Sequence, residues 1–356
     1  MPRVSVIMPA YNSALYIEEA VSSILVQTFS DFELIVIDDG SCDATATSLA
    51  RYASKDSRIV LAPNTGNRGL VYTLNKGLSL ARGEYIARMD SDDISTRERL
   101  ERQVNFLDAN SRVGICGGSV EFFGHGSGVW KFPLEDGALR ASLLFSTPFA
   151  HPAVIMRKSL FGPRGLRYPE TPFAEDYALW VQAAAVTNFA NLPDVLLRYR
   201  MHESQLTKRY RKCFSEASAK ARANLLEGLG MPVTDDDLQA LEFATPGSRQ
   251  DLAQLDNLLR RITALNKNAR FFPEPLFTQR ISQHWFLTCR HAIFPGSEGW
   301  KAFWASPLAN GFPISKRQTV AFWLVSHFPA IRAAKGAVRR LAAAGVALVA
   351  SFRQRF

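Results

Sequence analysis

Glu84-Tyr85-Ile86-Ala87-Arg88-Met89-Asp90-Ser91-Asp92-Asp93 is the stretch on which the fold assignment turns. Its run from Tyr85 to Met89 has the length and composition of a buried strand, and Gly83 just ahead suits the end of a helix. The run stops on carboxylates. Asp90, Asp92 and Asp93 then fall outside the carboxyl end of a strand, where an α/β sheet opens its ligand crevice. Like charges this close repel unless something positive joins them. One reading is a hard divalent cation, Mn²⁺ or Mg²⁺, held by one or two carboxylates while phosphate oxygens complete its shell. The other is a solvated turn capping a helix that starts near Ser95 or Thr96.

Upstream, strands alternate with helices. Val4 to Met8 reads as a short buried strand ended by Pro9-Ala10-Tyr11-Asn12, with Asn12 or Ser13 capping a helix along Leu15, Ala20, Val21, Ile24 and Leu25. Leu34 to Ile37 repeats the strand signal and ends on Asp38-Asp39-Gly40-Ser41, and a second helix follows to about Tyr52. Ile59 to Leu61 is a third strand, and Leu70, Leu74, Leu78 and Ala81 mark the helix leading back to Gly83. This order predicts an α/β fold, a Rossmann-like, mainly parallel sheet with helices on both faces. No G-x-G-x-x-G follows the first strand, so a dinucleotide fold is disfavoured. Two acidic strand ends stand instead. One carboxylate accepting from a base edge or ribose and another holding metal would grip a nucleoside diphosphate along its length. For Asp38-Asp39, an Asx turn before a capped helix is the competing account.

The 356 residues fit about two domains. With 47% apolar and 21% charged residues, the composition is that of an ordinary globular protein. The net charge of +9 is uneven: after Glu298 there is no Asp or Glu, but nine Lys and Arg. That excess points to an anionic partner for the C-terminal surface. Cys42, Cys116, Cys213 and Cys289 form no C-x-x-C pair and are expected as buried thiols in a reducing compartment. Val4 to Met8 is too short for a signal-peptide core, and no apolar run reaches the ~18–20 residues that span a bilayer, so a cytoplasmic location is expected.

Val4 to Asn12, Gln27-Thr28, Asp38 to Ser41 and Gly83 to Asp93, in this order, resemble family 2 glycosyltransferases of the GT-A fold, over roughly residues 1–206. Those enzymes pass a sugar from a nucleotide donor to a hydroxyl with inversion. The resemblance implies that Pro9, Ala10, Tyr11 and Asn12 line the nucleoside pocket, that Asp39 with Asp38 contacts the base, that Asp90 lies by the ribose, that Ser91 contacts the nucleotide sugar and that Asp92 ligates the metal. Arg68, in Asn67-Arg68-Gly69, would help neutralise phosphate. His151-Pro152 resembles the acceptor-side segment, and His202 would be a third metal ligand.

Further along, Arg97, Leu100, Val104 and Leu107 fit another helix, Val113 to Gly118 and Val120 to Phe123 two strands, and Gly124 to Gly128 a hairpin. Leu179, Ala183 and Val186 share a helical face, which places Glu175 and Asp176 in a first turn whose dipole favours ionised carboxylates. Plain capping explains such a start as well. The resemblance implies that the Glu175-Asp176 pair faces the acceptor and that Asp176 is the base. Leu196 to Arg200 reads as the last strand.

Residues 207–298 carry a helical pattern, in segments around 214–229, 235–243, 252–265 and 277–293. Residues 299–356 gather aromatic and basic residues, with an apolar stripe from Ile331 to Phe352 that suits an amphipathic helix on an anionic membrane surface; packing on the protein is the alternative. No nucleic-acid motif accompanies the basic residues. The sequence thus predicts a metal-dependent, inverting glycosyltransferase with a nucleotide-sugar donor, UDP-linked by family preference, and a lipid-linked or growing polysaccharide acceptor. The chain would be peripheral on the cytosolic face of the membrane. A noncatalytic sugar-nucleotide or glycan-binding subunit and a nucleotidyltransferase are the alternatives.

Overall fold

The computed structural model describes residues 1–162, 165–171, 173–203, 210–242, 246–292, 297–311 and 313–328. Two compact units divide the chain, Met1–Leu225 and Leu226–Phe356. In the first, β1 (Val4–Ala10), β2 (Phe32–Asp38), β3 (Ile59–Leu61) and β4 (Tyr85–Arg88) run parallel in the order β3-β2-β1-β4. Parallel neighbours need long crossovers, here α1 (Ile17–Leu25), α2 (Thr45–Ala53) and α3 (Leu70–Leu80). Alternation along β1 covers both faces. Val4, Val6 and Met8 join Ile17, Val21 and Ile24 of α1 in one apolar cluster. Ile7 and Ile37 meet α3 at Gly77 on the other face, where a Cβ would come within 2.5 Å of Ile7 Cγ2.

Downstream lie β5 (Ile94–Ser95), α4 (Arg99–Ala109), β6 (Val113–Gly124), β7 (Gly128–Trp130), α5 (Asp136–Ser142), β8 (Ile155–Arg157), α6 (Glu175–Ala183) and β9 (Asn188–Met201). Here the sheet becomes mixed. β8 is antiparallel to both β4 and β6, β6 is parallel to β9, and β5 pairs antiparallel with β9. Arg99, fully buried at the head of α4, ties β4 to β8: its Nη2 donates to Arg88 O (2.7 Å) and Val154 O (3.2 Å).

Several boundaries differ from the sequence reading, each for a tertiary reason. α1 starts at Ile17, because Asn12 takes a left-handed conformation (φ 48°) and its side chain bonds the neighbouring loop. Ser95 is drawn into β5, so α4 starts at Arg99 and no side chain caps it. Gly83 lies beyond the end of α3. A Cβ there would sit 2.6 Å from Ser5 N, so glycine lets this loop cross β1. β6 is a single strand that absorbs Gly117-Gly118 through a register shift between Gly118 and Ser119. Cys116 and Cys289 are buried, but Cys42 is exposed.

Helical spacing located four of the later helices, Arg211–Gly228, Asp235–Leu241, Arg249–Ala269 and Leu276–His291; Glu298–Ala305 and Lys316–His327 are two more that it did not single out. Within the second unit, Thr234 with Asp237, Ser248 with Asp251 and Ser315 with Gln318 form capping boxes that fix three helix starts. No helix among the described residues is long and apolar enough to cross a membrane. The stripe from Ile331 to Phe352 lies outside the described residues.

Candidate functional site

Met89 N donates to Ile7 O (3.1 Å), the last bond joining β4 to β1, and the chain then leaves the sheet. Asp90, Asp92 and Asp93 therefore gather over the strand ends, with one potential ligand oxygen from each within 4.8 Å of the others. Among the described residues this is the one group of three or more acidic, His or Cys side chains so arranged. β9 supplies its second wall. Arg200 N donates to Asp93 Oδ1 (2.8 Å), and Arg200 Nε donates to Asp92 O (2.7 Å). His202 Nε2 lies 3.0 Å from Asp92 Oδ2, and its ring packs against Tyr16. Ser91 Oγ shares a 2.7 Å hydrogen bond with Ser13 Oγ.

The last residue of β4, Arg88, is buried beneath this cluster and ion-paired with Asp90. Burial raises the Asp90 pKa and Arg88 opposes that rise, while the charges of Asp92 and Asp176 add to it. Asp93 is pushed well above the usual range, first by burial and then by Asp90 and Asp92. Burial and then Asp176 push Glu175 up to about 7. Asp176 is raised by burial, against which stand the Tyr177 N–H donating to its Oδ1 (2.6 Å) and the charge of Arg88. The charges of both Asp92 and Asp176 bear on Asp90. Glu175 is buried at the head of α6, whereas Asp176 beside it is half-buried.

Asp90, Asp93, Glu175 and Asp176 thus share the charge of one buried guanidinium, and Asp93 Oδ2 is buried with no hydrogen-bond partner among the described residues. Oxygen donors, an orphaned carboxylate oxygen and an imidazole beside Asp92 suit a hard dication.

His151, expected on the acceptor side, occupies a 3₁₀ turn, His151–Ala153, and its Nε2 lies 2.8 Å from Tyr168 Oη. Burial, with Arg88 nearby, holds its pKa well below the usual imidazole range, so the ring is neutral. Asn75 clasps the Tyr168 backbone, donating to its O (2.8 Å) and accepting from its N (3.1 Å).

The acidic end of β2 is built differently. Asp38 Oδ1 accepts from Ser41 N (3.1 Å), closing an Asx turn. Asp39 Oδ1 accepts from Asn64 Nδ2 (2.7 Å) and Arg68 N (2.8 Å), and its Oδ2 accepts from Gly69 N (2.9 Å). Asn12 Oδ1 accepts from Cys42 N (2.9 Å). Gly40, at φ 75°, lets these loops touch, since a Cβ there would fall 2.6 Å from Gly66 C. Pro9 and Ala10 are buried at the end of β1. The N–H that Pro9 lacks would point to the β4 side, where the ladder has already ended. Tyr11 is exposed, and the Arg68 guanidinium stacks on Tyr72 (4.4 Å to the ring centroid) rather than reaching the acidic cluster. The residues around Asp39 and those around Asp92 thus form two groups, bridged by the Ser13–Ser91 bond.

Sequence reasoning overlooked Arg88, Tyr168 and Arg200. A signal existed for Arg88, because an arginine within a strand otherwise fit for burial needs a buried anion close by.

The family model described as Glycosyl transferase family 2 matches residues 5–162. An uncharacterized glycosyltransferase of Haemophilus influenzae is 35% identical over 233 residues, which cover 62% of this chain and 72% of that one. The UDP-Glc:alpha-D-GlcNAc-diphosphoundecaprenol beta-1,3-glucosyltransferase WfgD of Escherichia coli is 31% identical over 206 residues, 57% of this chain and 79% of its own. In fold, the chain is similar to S. aureus TarS 1–349, solved in complex with UDP-GlcNAc, at a TM-score of 0.55 and 21% identity over 82% of each chain.

Proposed function

The chain belongs to glycosyl transferase family 2, and from that premise we propose that it transfers a sugar, with inversion and with Mn²⁺ or Mg²⁺ bound, from a nucleoside-diphosphate donor. The donor class is a UDP-sugar, and the acceptor is a hydroxyl of a lipid-linked or growing cell-surface glycan. The observation that carries this reading is the gathering of Asp90, Asp92 and Asp93 over the strand ends, with one potential ligand oxygen from each within 4.8 Å of the others.

Asp92 and His202, backed by Asp90 and Asp93, would hold the cation, which when bound offsets the charge of the departing diphosphate. The chain's own residues do the rest. Pro9, Ala10, Tyr11 and Asn12, with Asp38 and Asp39, line the nucleoside end, and Arg68 offers a cation to phosphate from the same loops. Asp176 accepts the proton of the acceptor hydroxyl as that oxygen bonds to the anomeric carbon and the bond from sugar to diphosphate breaks on the opposite face. Attack from that side inverts the anomeric centre without a covalent sugar–protein intermediate. Arg88 keeps Asp176 ionised by its charge, and Glu175 and His151 shape the acceptor side.

The lipid-linked acceptor class is supported by the diphosphoundecaprenol substrate in the name of WfgD, and a cytosolic, membrane-peripheral location by the acid-free C-terminal segment. Purified protein assayed against a panel of nucleotide sugars, with and without Mn²⁺, tests the reading. Release of nucleoside diphosphate is expected. Pyrophosphate would mark a nucleotidyltransferase, and metal-independent binding without turnover a noncatalytic subunit.

A further inference from the structure

We propose that an exposed aromatic face on the helices Glu298–Ala305 and Lys316–His327 docks on an anionic lipid bilayer. The inference deepens the membrane part of the proposed function and rests on it, but it concerns the second unit alone. The helix Lys316–His327 buries Phe322, Val325 and Ser326. Its opposite side presents Lys316, Val320, Trp323 and His327, at steps of four, three and four, as one exposed stripe. Val320 is 57% and Trp323 42% exposed, and Trp304 on the other helix is 50% exposed.

These side chains form a continuous surface. Ring centroids are 5.6 Å apart from Trp304 to Trp300, 6.2 Å from Trp300 to His327, 4.9 Å from His327 to Trp323 and 5.6 Å from Trp323 to Phe328. The core beneath is filled by Phe286, Phe303 and Phe322, so the outer indoles are not needed to complete it. Indole rings favour the headgroup layer, where an apolar body and an N–H both find partners.

Charge selects the occupant. Glu298, which pairs with Lys301 (3.3 Å) and Arg249 (2.9 Å), is the last acidic residue; nine Lys and Arg follow it. A second copy of the chain would bring the exposed Lys316 and Arg317 against themselves, whereas anionic headgroups neutralise them.

The test is flotation of the full chain with phosphatidylcholine vesicles, with and without phosphatidylglycerol. Binding is expected only with phosphatidylglycerol and should weaken with salt. The double variant Trp304→Ala/Trp323→Ala should partition at least about tenfold less, with unchanged melting and unchanged donor turnover. Trp304→Phe/Trp323→Phe should retain most of the binding, and brominated lipid should quench the parent's tryptophan emission more than that of the alanine variant. Equal partition of parent and alanine variant would overturn the proposal. So would indifference of the parent to phosphatidylglycerol, or a dimer in light scattering that the alanine variant dissolves. Vesicle binding is read without turnover, so an inactive protein that still floats would sink the catalytic reading alone.

Discussion

The acidic turn after β2 satisfies its charge inside the protein, whereas the one after β4 leaves its charge to be met from outside. Asp39 accepts three hydrogen bonds, from Asn64, Arg68 and Gly69, and Asp38 closes its own turn on Ser41. Asp90 and Asp93, by contrast, are pushed up by burial and mutual repulsion above a single buried arginine. A carboxylate with enough donors organises a loop, and a cluster with too few suits a cation. The contrast makes the first turn a wall held in shape by its own hydrogen bonds and the second the place for a cation.

Substitutions along the second turn's crevice should act on chemistry and ligand binding. Asp176→Asn keeps the shape of the α6 start and removes the base, so kcat should fall by roughly 10²–10⁴ while donor affinity stays unchanged. Normal turnover by the folded variant would remove Asp176 from its role. Asp92→Ala should lower Mn²⁺-dependent donor affinity by at least about tenfold, since even outer-shell changes at metal sites typically cost that much. Calorimetric titration checks this, and an isotherm like the parent's would move the cation elsewhere.

Substitution in the first turn should act on stability instead. Asp39→Ala leaves the amides of Arg68 and Gly69 without their acceptor, a cost on the order of 2–3 kcal/mol in urea unfolding. Mn²⁺ should still raise the melting temperature of this variant. The isosteric change at the other turn, Asp93→Asn, should go the other way. It removes a buried charge whose Oδ2 has no partner among the described residues, so the metal-free protein should gain up to about 1 kcal/mol while its response to Mn²⁺ shrinks. A loss of stability at position 93 equal to that at position 39 would erase the distinction between the turns.

What local pattern revealed and what it concealed divide along the same line. Strands β1, β2 and β4, the acidic ends of β2 and β4 and the first turn of α6 each lie within a short stretch of sequence and follow from run length and helical phase. β8 is three residues long and is defined by its antiparallel partners β4 and β6, which periodicity within a short segment does not encode. Arg88 sat unnoticed in a run taken as apolar, although burying a cation implies the anions that meet it. The two acidic turns were indistinguishable because the donors that satisfy Asp39 come from residues 25 to 30 positions away.

The last expected effect concerns Glu175, which burial and Asp176 raise from 4.5 to about 7. Between those values the folded protein holds a proton that the unfolded chain has released, so this group's contribution to stability falls as pH rises, by up to about 1.4 kcal/mol per pH unit. His151 opposes it in part of the same window. Its folded pKa lies well below 6.5, so the unfolded chain binds the extra proton there and stability rises with pH. Glu33 and Asp108, both lowered, act only in more acidic solution. The informative quantity is therefore the difference between parent and Glu175→Gln, unfolded thermally in chelator across this range. The variant should gain on the parent steadily from about pH 4.5 to about pH 7. Mn²⁺ should flatten that gain, because a cation in the crevice favours the ionised carboxylates. A difference independent of pH would mean that Glu175 is already ionised at acidic pH, and that Arg88 alone balances the cluster.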